Sequence, residues 1–209
     1  MNLKRISYYL GLFCFPISFL SFINILYSSY FDYFLSINSY VITLAISFLI
    51  GSILLFIGKK SEKKINFIDQ LILIILVYLV TSSFIALPFY LSNYQVTFLN
   101  SLFEGISGTT GTGFSIFDNI KYLDPTLIIW RSSSQWIGGL YFLFFLILVF
   151  SNKKFNYKMN ELTFSGDANI YSEENVKNIL LKVFILYSVL SFLLFLSLNF
   201  SDVRMFNSL

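Results

Sequence analysis

The chain has 209 residues, 56% of them hydrophobic and 12% charged, with a formal net charge of +3. A soluble domain of this length needs no interior so large. Histidine is absent and Cys14 is the single cysteine, which leaves no disulfide, no cysteine-based metal site and no nucleophile–base pair on which to build an enzyme. No cofactor and no nucleic-acid partner are expected.

The apolar residues come in runs rather than in alternation, which points to an all-α integral membrane protein and away from a β-barrel. Residues 6–27, 37–57, 67–91, 126–150 and 178–200 are each long enough to cross roughly 30 Å of hydrocarbon as a helix. The first run follows Lys4 and Arg5 but is longer than the apolar part of a signal peptide and is followed by no small-residue cleavage site. It is read as a retained span. Segment 96–108, VTFLNSLFEGISG, lies between the third and fourth runs. It is too short to span and is expected to be re-entrant, interfacial or a loop.

Charge sets the expected orientation. Lys4 and Arg5 precede the first span, Lys59, Lys60, Lys63 and Lys64 separate the second from the third, and Lys153, Lys154, Lys158 and Lys177 lie between the fourth and fifth. The positive-inside rule then places the N-terminus in the cytoplasm and segment 92–125 outside, with Lys121 and Arg204 as isolated exceptions. Residues 151–177 read as a solvated cytoplasmic loop, with a docking surface for a cytoplasmic partner as the alternative. A weak internal repeat lays 71–102 over 178–209, so that Asn100-Ser101-Leu102 coincides with Asn207-Ser208-Leu209. On that reading the chain stops where a second glycine-rich loop is due, as a truncated product does.

Residues 105–114, GISGTTGTGF, crowd glycine and threonine between apolar runs. A phosphate-binding loop needs Lys and Ser or Thr after its last glycine, whereas Phe114 follows Gly113. A flexible outer loop or a small-residue helix contact is one remaining reading. The other is an ion filter, because irregular backbone at membrane depth survives when it is buried or lines a watery cavity. Glycine lets successive carbonyls turn toward one axis, and such oxygens replace the water shell of a cation. A short helix ahead of the loop would aim its negative C-terminal end at that cation.

The text SLFEGISGTTGTGFS followed by LIIWRSSSQWIGGLYF resembles the first pore loop and following helix of the Trk/Ktr/HKT superfamily of potassium-uptake proteins, its TrkH-like members above all. The resemblance rests on Phe103-Glu104, Ser107-Gly108, Thr110-Gly111-Thr112-Gly113, Trp130-Arg131, Gln135-Trp136 and Gly138-Gly139. It implies a helix–pore-loop–helix unit, four of which surround one axis. Thr110, Gly111, Thr112 and Gly113 would then supply backbone oxygens that bind potassium, with Ser107, Gly108 and Thr109 supporting them. Gly111 and Phe114 depart from the threonine and alanine usual in the family.

Glu104 is expected to support the filter, with attraction of cations at the mouth or plain exposure as alternatives. Arg131 is an interfacial anchor or a stabilising partner for Glu104. Gly138 and Gly139 are read as a helix-packing site. The expected organisation is two peripheral helices over 1–64, a complete repeat over 65–158, a cytoplasmic loop over 159–177 and the start of a second repeat over 178–209. The expected function is potassium uptake across a bacterial inner membrane. Partners are the lipid bilayer, the remaining repeats or further copies, and a nucleotide-binding regulatory subunit in the cytoplasm. A homotetrameric channel and a non-conducting scaffold are the alternatives.

Overall fold

A computed structural model describes residues 3–33, 37–59, 66–150 and 173–200, and every regular element in them is helical. The helices are α1 (Leu3–Tyr30), α2 (Ile37–Gly58), α3 (Phe67–Tyr90), α4 (Phe98–Thr110), α5 (Pro125–Phe150) and α6 (Glu173–Phe200), with a short 3-10 turn at Ile120–Tyr122. All but α4 are long and apolar enough to cross a membrane. Each expected span is therefore a helix, as the apolar runs required.

Two compact units are present, residues 1–139 and 140–209. In the first, α1 and α2 form a close antiparallel pair. A Cβ added at Gly11 would come within 2.8 Å of the Gly51 carbonyl oxygen, so the two backbones meet through small residues as membrane helices do. Ser18 and Ser47 share a hydrogen bond of 2.8 Å across the same seam. Farther along, Ser21, Asn24 and Ser28 are buried on α1, whereas Phe19, Phe22, Ile23 and Leu26 are exposed. Small and polar side chains are thus buried there beside Leu20 while most large apolar ones face outward, an arrangement that a lipid surround favours.

The second unit contains the C-terminal part of α5 and all of α6. None of the membrane-length window of α6 is buried. This helix starts at Glu173, five residues ahead of the apolar run. Residues 173–177 therefore belong to α6 instead of the expected loop. The rest of that loop (151–172), Lys60, Lys63, Lys64, Arg204 and the second Asn-Ser-Leu of the repeat lie outside the described residues.

Candidate functional site: a short helix and its braced loop

Helix α4 begins where the Thr97 side chain accepts a hydrogen bond from the Asn100 amide, and it ends at Gly111 in the left-handed conformation (φ 71°). The Gly111 amide closes the last turn on the Gly108 carbonyl at 3.1 Å, a glycine stop that other residues adopt only under strain. Gly113 also has positive φ, 75°. The helix thus covers 98–110 and runs two residues past the expected segment, so Thr109 and Thr110 form its final turn.

The face that α4 buries is small and polar: Ser101, Glu104, Gly105, Ser107, Gly108 and Thr109. Leu99, Phe103 and Ile106 lie on its exposed face. Close approach fixes its position. A Cβ at Gly105 would strike the Ser82 carbonyl on α3, one at Gly108 the Ser134 hydroxyl on α5, and one at Gly138 the Thr109 carbonyl. Ser82 and Thr109 share a 2.7 Å hydrogen bond between hydroxyls. Behind them, the Trp130 indole donates to the Ile85 carbonyl at 3.0 Å and ties α5 to α3. Gly138 thus packs α5 on the last turn of α4; Gly139 beside it is half-buried.

At its start, α5 is set by Asp124, whose Oδ1 accepts from the Thr126 amide at 3.0 Å and the Thr126 hydroxyl at 2.9 Å. Pro125 follows as first helical residue, where its missing N–H costs nothing. Helix α5 is thereby held with Arg131 level with the loop that follows α4.

An ion pair braces that loop. Arg131 Nη1 meets Glu104 Oε2, and the two side chains are 6% and 0% exposed. Glu104 Oε1 accepts from the Ser115 hydroxyl and from the Ile116 amide, each at 2.7 Å. Arg131 Nη2 donates to the carbonyls of Gly113 at 2.8 Å and Phe114 at 3.0 Å. Phe114 O also accepts from the Ser107 hydroxyl at 2.6 Å. A buried pair stabilises when further hydrogen bonds satisfy its remaining atoms, and here those bonds run to residues 113–116. The pair therefore fixes backbone as well as itself.

The carbonyls of Thr110, Gly111 and Thr112 accept no hydrogen bond among the described residues, and all three residues are exposed. The hydroxyl of Thr110 turns back onto the Ile106 carbonyl at 2.7 Å. The arrangement is a short run of unclaimed backbone oxygens at the C-terminal end of a helix, on a loop anchored just beyond it. Such oxygens suit a cation that sheds water. Gly113 differs from its neighbours because Arg131 already occupies its carbonyl. Ser82, Gly105, Ser115 and Ser134 join the site without having been singled out from sequence. Their signal was a small side chain within an apolar run or a recognised motif.

Among the described residues no group of His, Cys, Asp or Glu could hold a metal ion. The TrkH family, described as a cation transport protein, matches residues 36–204. The chain is 34% identical over 106 residues to the Trk system potassium uptake protein TrkG of Escherichia coli, covering 50% of this chain and 22% of that protein. It is 32% identical over 91 residues to an uncharacterized cation transporter of Methanocaldococcus jannaschii, covering 43% and 19%. To the potassium uptake protein TrkI of Halomonas elongata it is 38% identical over 72 residues, covering 34% and 15%. The chain thus spans roughly a fifth of the length of these relatives.

Proposed function

The chain belongs to the TrkH family of cation transport proteins, and from that premise we propose that it serves potassium uptake across the cell membrane by contributing one pore loop to a filter of backbone oxygens. Membership places it among transporters rather than enzymes. The observation that carries the reading is the Glu104–Arg131 brace, which anchors residues 113–116 and leaves the carbonyls of Thr110, Gly111 and Thr112 unclaimed. Potassium is the substrate, held by those oxygens in place of water. Gly113 supplies the positive φ that turns the chain, and its carbonyl is shared with Arg131.

One loop makes part of a ring, so remaining repeats or further copies complete it, and the bilayer surrounds it. The N-terminus lies in the cytoplasm, as the lysine distribution indicates. Inward movement of potassium is driven by the membrane potential, about 2.3 kcal/mol per charge per 100 mV. A nucleotide-binding regulatory subunit on the cytoplasmic side completes the proposal.

Rubidium uptake into liposomes bearing the full gene product tests this reading. Uptake present in the wild type and lost in Gly111→Val or Gly113→Val, with the protein still folded, is expected. Equal uptake by wild type and both variants would overturn it and favour a pore-like loop that serves packing.

A further inference from the structure

Tyr40 is fully buried on α2, a helix that lies ahead of the expected repeat. A buried phenol is costly unless its hydroxyl finds a partner. Here the hydroxyl donates to Thr126 Oγ1 on α5 at 3.2 Å. The Tyr40 ring also lies 5.6 Å from the Trp130 ring, tilted by 55°. Thr126 and Trp130 are four residues apart on α5, which puts them one above the other on a single helix face. Tyr40 thus grips α5 at two successive turns, and the residue after the second grip is Arg131.

That grip completes the way α5 is held. Beyond Arg131, close contacts pin the helix to α4, with Gly108 against Ser134 and Gly138 against the Thr109 backbone. Trp130 is tied to α3 through the Ile85 carbonyl. The first turn lies ahead of these holds, and the amides there have no partner within the helix. The Thr126 hydroxyl donates to Asp124 Oδ1 at 2.9 Å while accepting from Tyr40, so the helix cap and the hold from α2 meet in one hydroxyl. The Asp124 amide in turn donates to the Tyr94 hydroxyl at 2.7 Å. Arg131 stands about 7.5 Å along the axis from Thr126, between the two sets of holds. A turn of α5 about its axis would swing the guanidinium away from Glu104 and from the Gly113 carbonyl.

We propose that Tyr40 is a positioning residue for cation selectivity, acting through Thr126 and Arg131 on the backbone of residues 113–116. The role rests on the filter reading of the loop. Discrimination between cations depends on the number and placement of the coordinating carbonyls. Arg131 holds the carbonyl of Gly113, next in line to the three that are unclaimed. Loosening the first turn of α5 lets Arg131 and that stretch of backbone wander, which lowers discrimination.

Tyr40→Phe keeps the ring against Trp130 and removes the hydroxyl alone. Ser47→Ala is the control, because it removes another buried hydroxyl of α2, one bonded to Ser18 at 2.8 Å. Hydrogen exchange of the full gene product in lipid nanodiscs reads the amides of Ile116 and Phe117, which are held by Glu104 and Ser115. Exchange there is expected to quicken about fivefold in Tyr40→Phe, the factor that one lost hydrogen bond allows. Ser47→Ala should exchange there as the wild type does. In liposomes, the preference for rubidium over sodium is expected to fall in Tyr40→Phe by up to the same factor and to hold in Ser47→Ala. Unchanged exchange in Tyr40→Phe, an unchanged preference in a conducting protein, or the same changes in Ser47→Ala would each overturn the proposal. Faster exchange in Tyr40→Phe with no uptake by any protein would instead reject the filter reading and leave the hold on the loop standing.

Discussion

The α1–α2 pair and the α4–α5 loop bring helices together by the same means, glycines that leave no room for a Cβ, yet apart from hydrogen bonds such as Ser18–Ser47 the first leaves several buried polar atoms idle where the second engages them. In α1, Ser21 Oγ, Asn24 Oδ1 and Ser28 Oγ are buried with no hydrogen-bond partner. At the loop, both oxygens of Glu104 and both terminal nitrogens of Arg131 are engaged. Small polar residues in the first region serve size, since they let backbones approach. In the second they serve direction, since each bond decides where a carbonyl or amide points. A helix pair tolerates an idle hydroxyl. A loop whose backbone is aimed by each such bond does not.

The largest effect is expected from breaking the brace. Arg131→Ala leaves Glu104 buried and uncompensated, at a cost of about 3–5 kcal/mol. Thermal unfolding in detergent should show a large drop in midpoint, and rubidium uptake should vanish. A midpoint within a degree or two of wild type would show the pair to be incidental. Next comes Gly138→Ala, whose Cβ meets the Thr109 backbone. Overpacking of this kind costs about 1–3 kcal/mol, and uptake is expected to fall because the last turn of α4 shifts. The matching change in the other region, Gly11→Ala, has a similar cost in stability but should leave cation preference unaltered. Measuring rubidium against sodium uptake in both variants therefore sharpens the contrast.

Smaller still is Ser82→Ala, which removes one hydrogen bond to Thr109 worth about 0.5–1.5 kcal/mol. The smallest change is expected from Ser21→Ala. Removing a hydroxyl that has no partner should leave the unfolding midpoint unchanged or slightly raised. A clear drop would mean that this hydroxyl is engaged after all, and the comparison between the two regions would fail.

Much of the fold was legible because hydropathy alone dictates spans. The start of α2 at Ile37 and of α3 at Phe67 falls where the apolar text begins. Helix ends were less legible. The extension of α4 to Thr110 depends on Gly111 acting as a C-terminal stop, a signal that competed with its reading as filter backbone. The glycine–threonine loop drew notice because flexible polar text is conspicuous between apolar runs. The partners of that loop were harder to see: pairing of Arg131 with Glu104 was one of two readings of Arg131, and the structure pairs them. Glu104 and Arg131 are separated by 27 positions and lie on different helices, so no local periodicity joins them. Nor does sequence show that Arg131 claims the carbonyl of Gly113 and leaves those of the three preceding residues unclaimed. That outcome depends on where α5 sits, which Ser134, Gly138 and Trp130 settle by contact.

The carbonyls of Thr110, Gly111 and Thr112 are proposed as the place where a cation sheds its water. Diffraction from crystals of the full gene product soaked in thallium, a heavy stand-in for potassium, reads this directly from the anomalous signal. A peak in contact with those three carbonyls, absent in Arg131→Ala, is expected. A thallium peak elsewhere along the protein, with none beside residues 110–112, would contradict it.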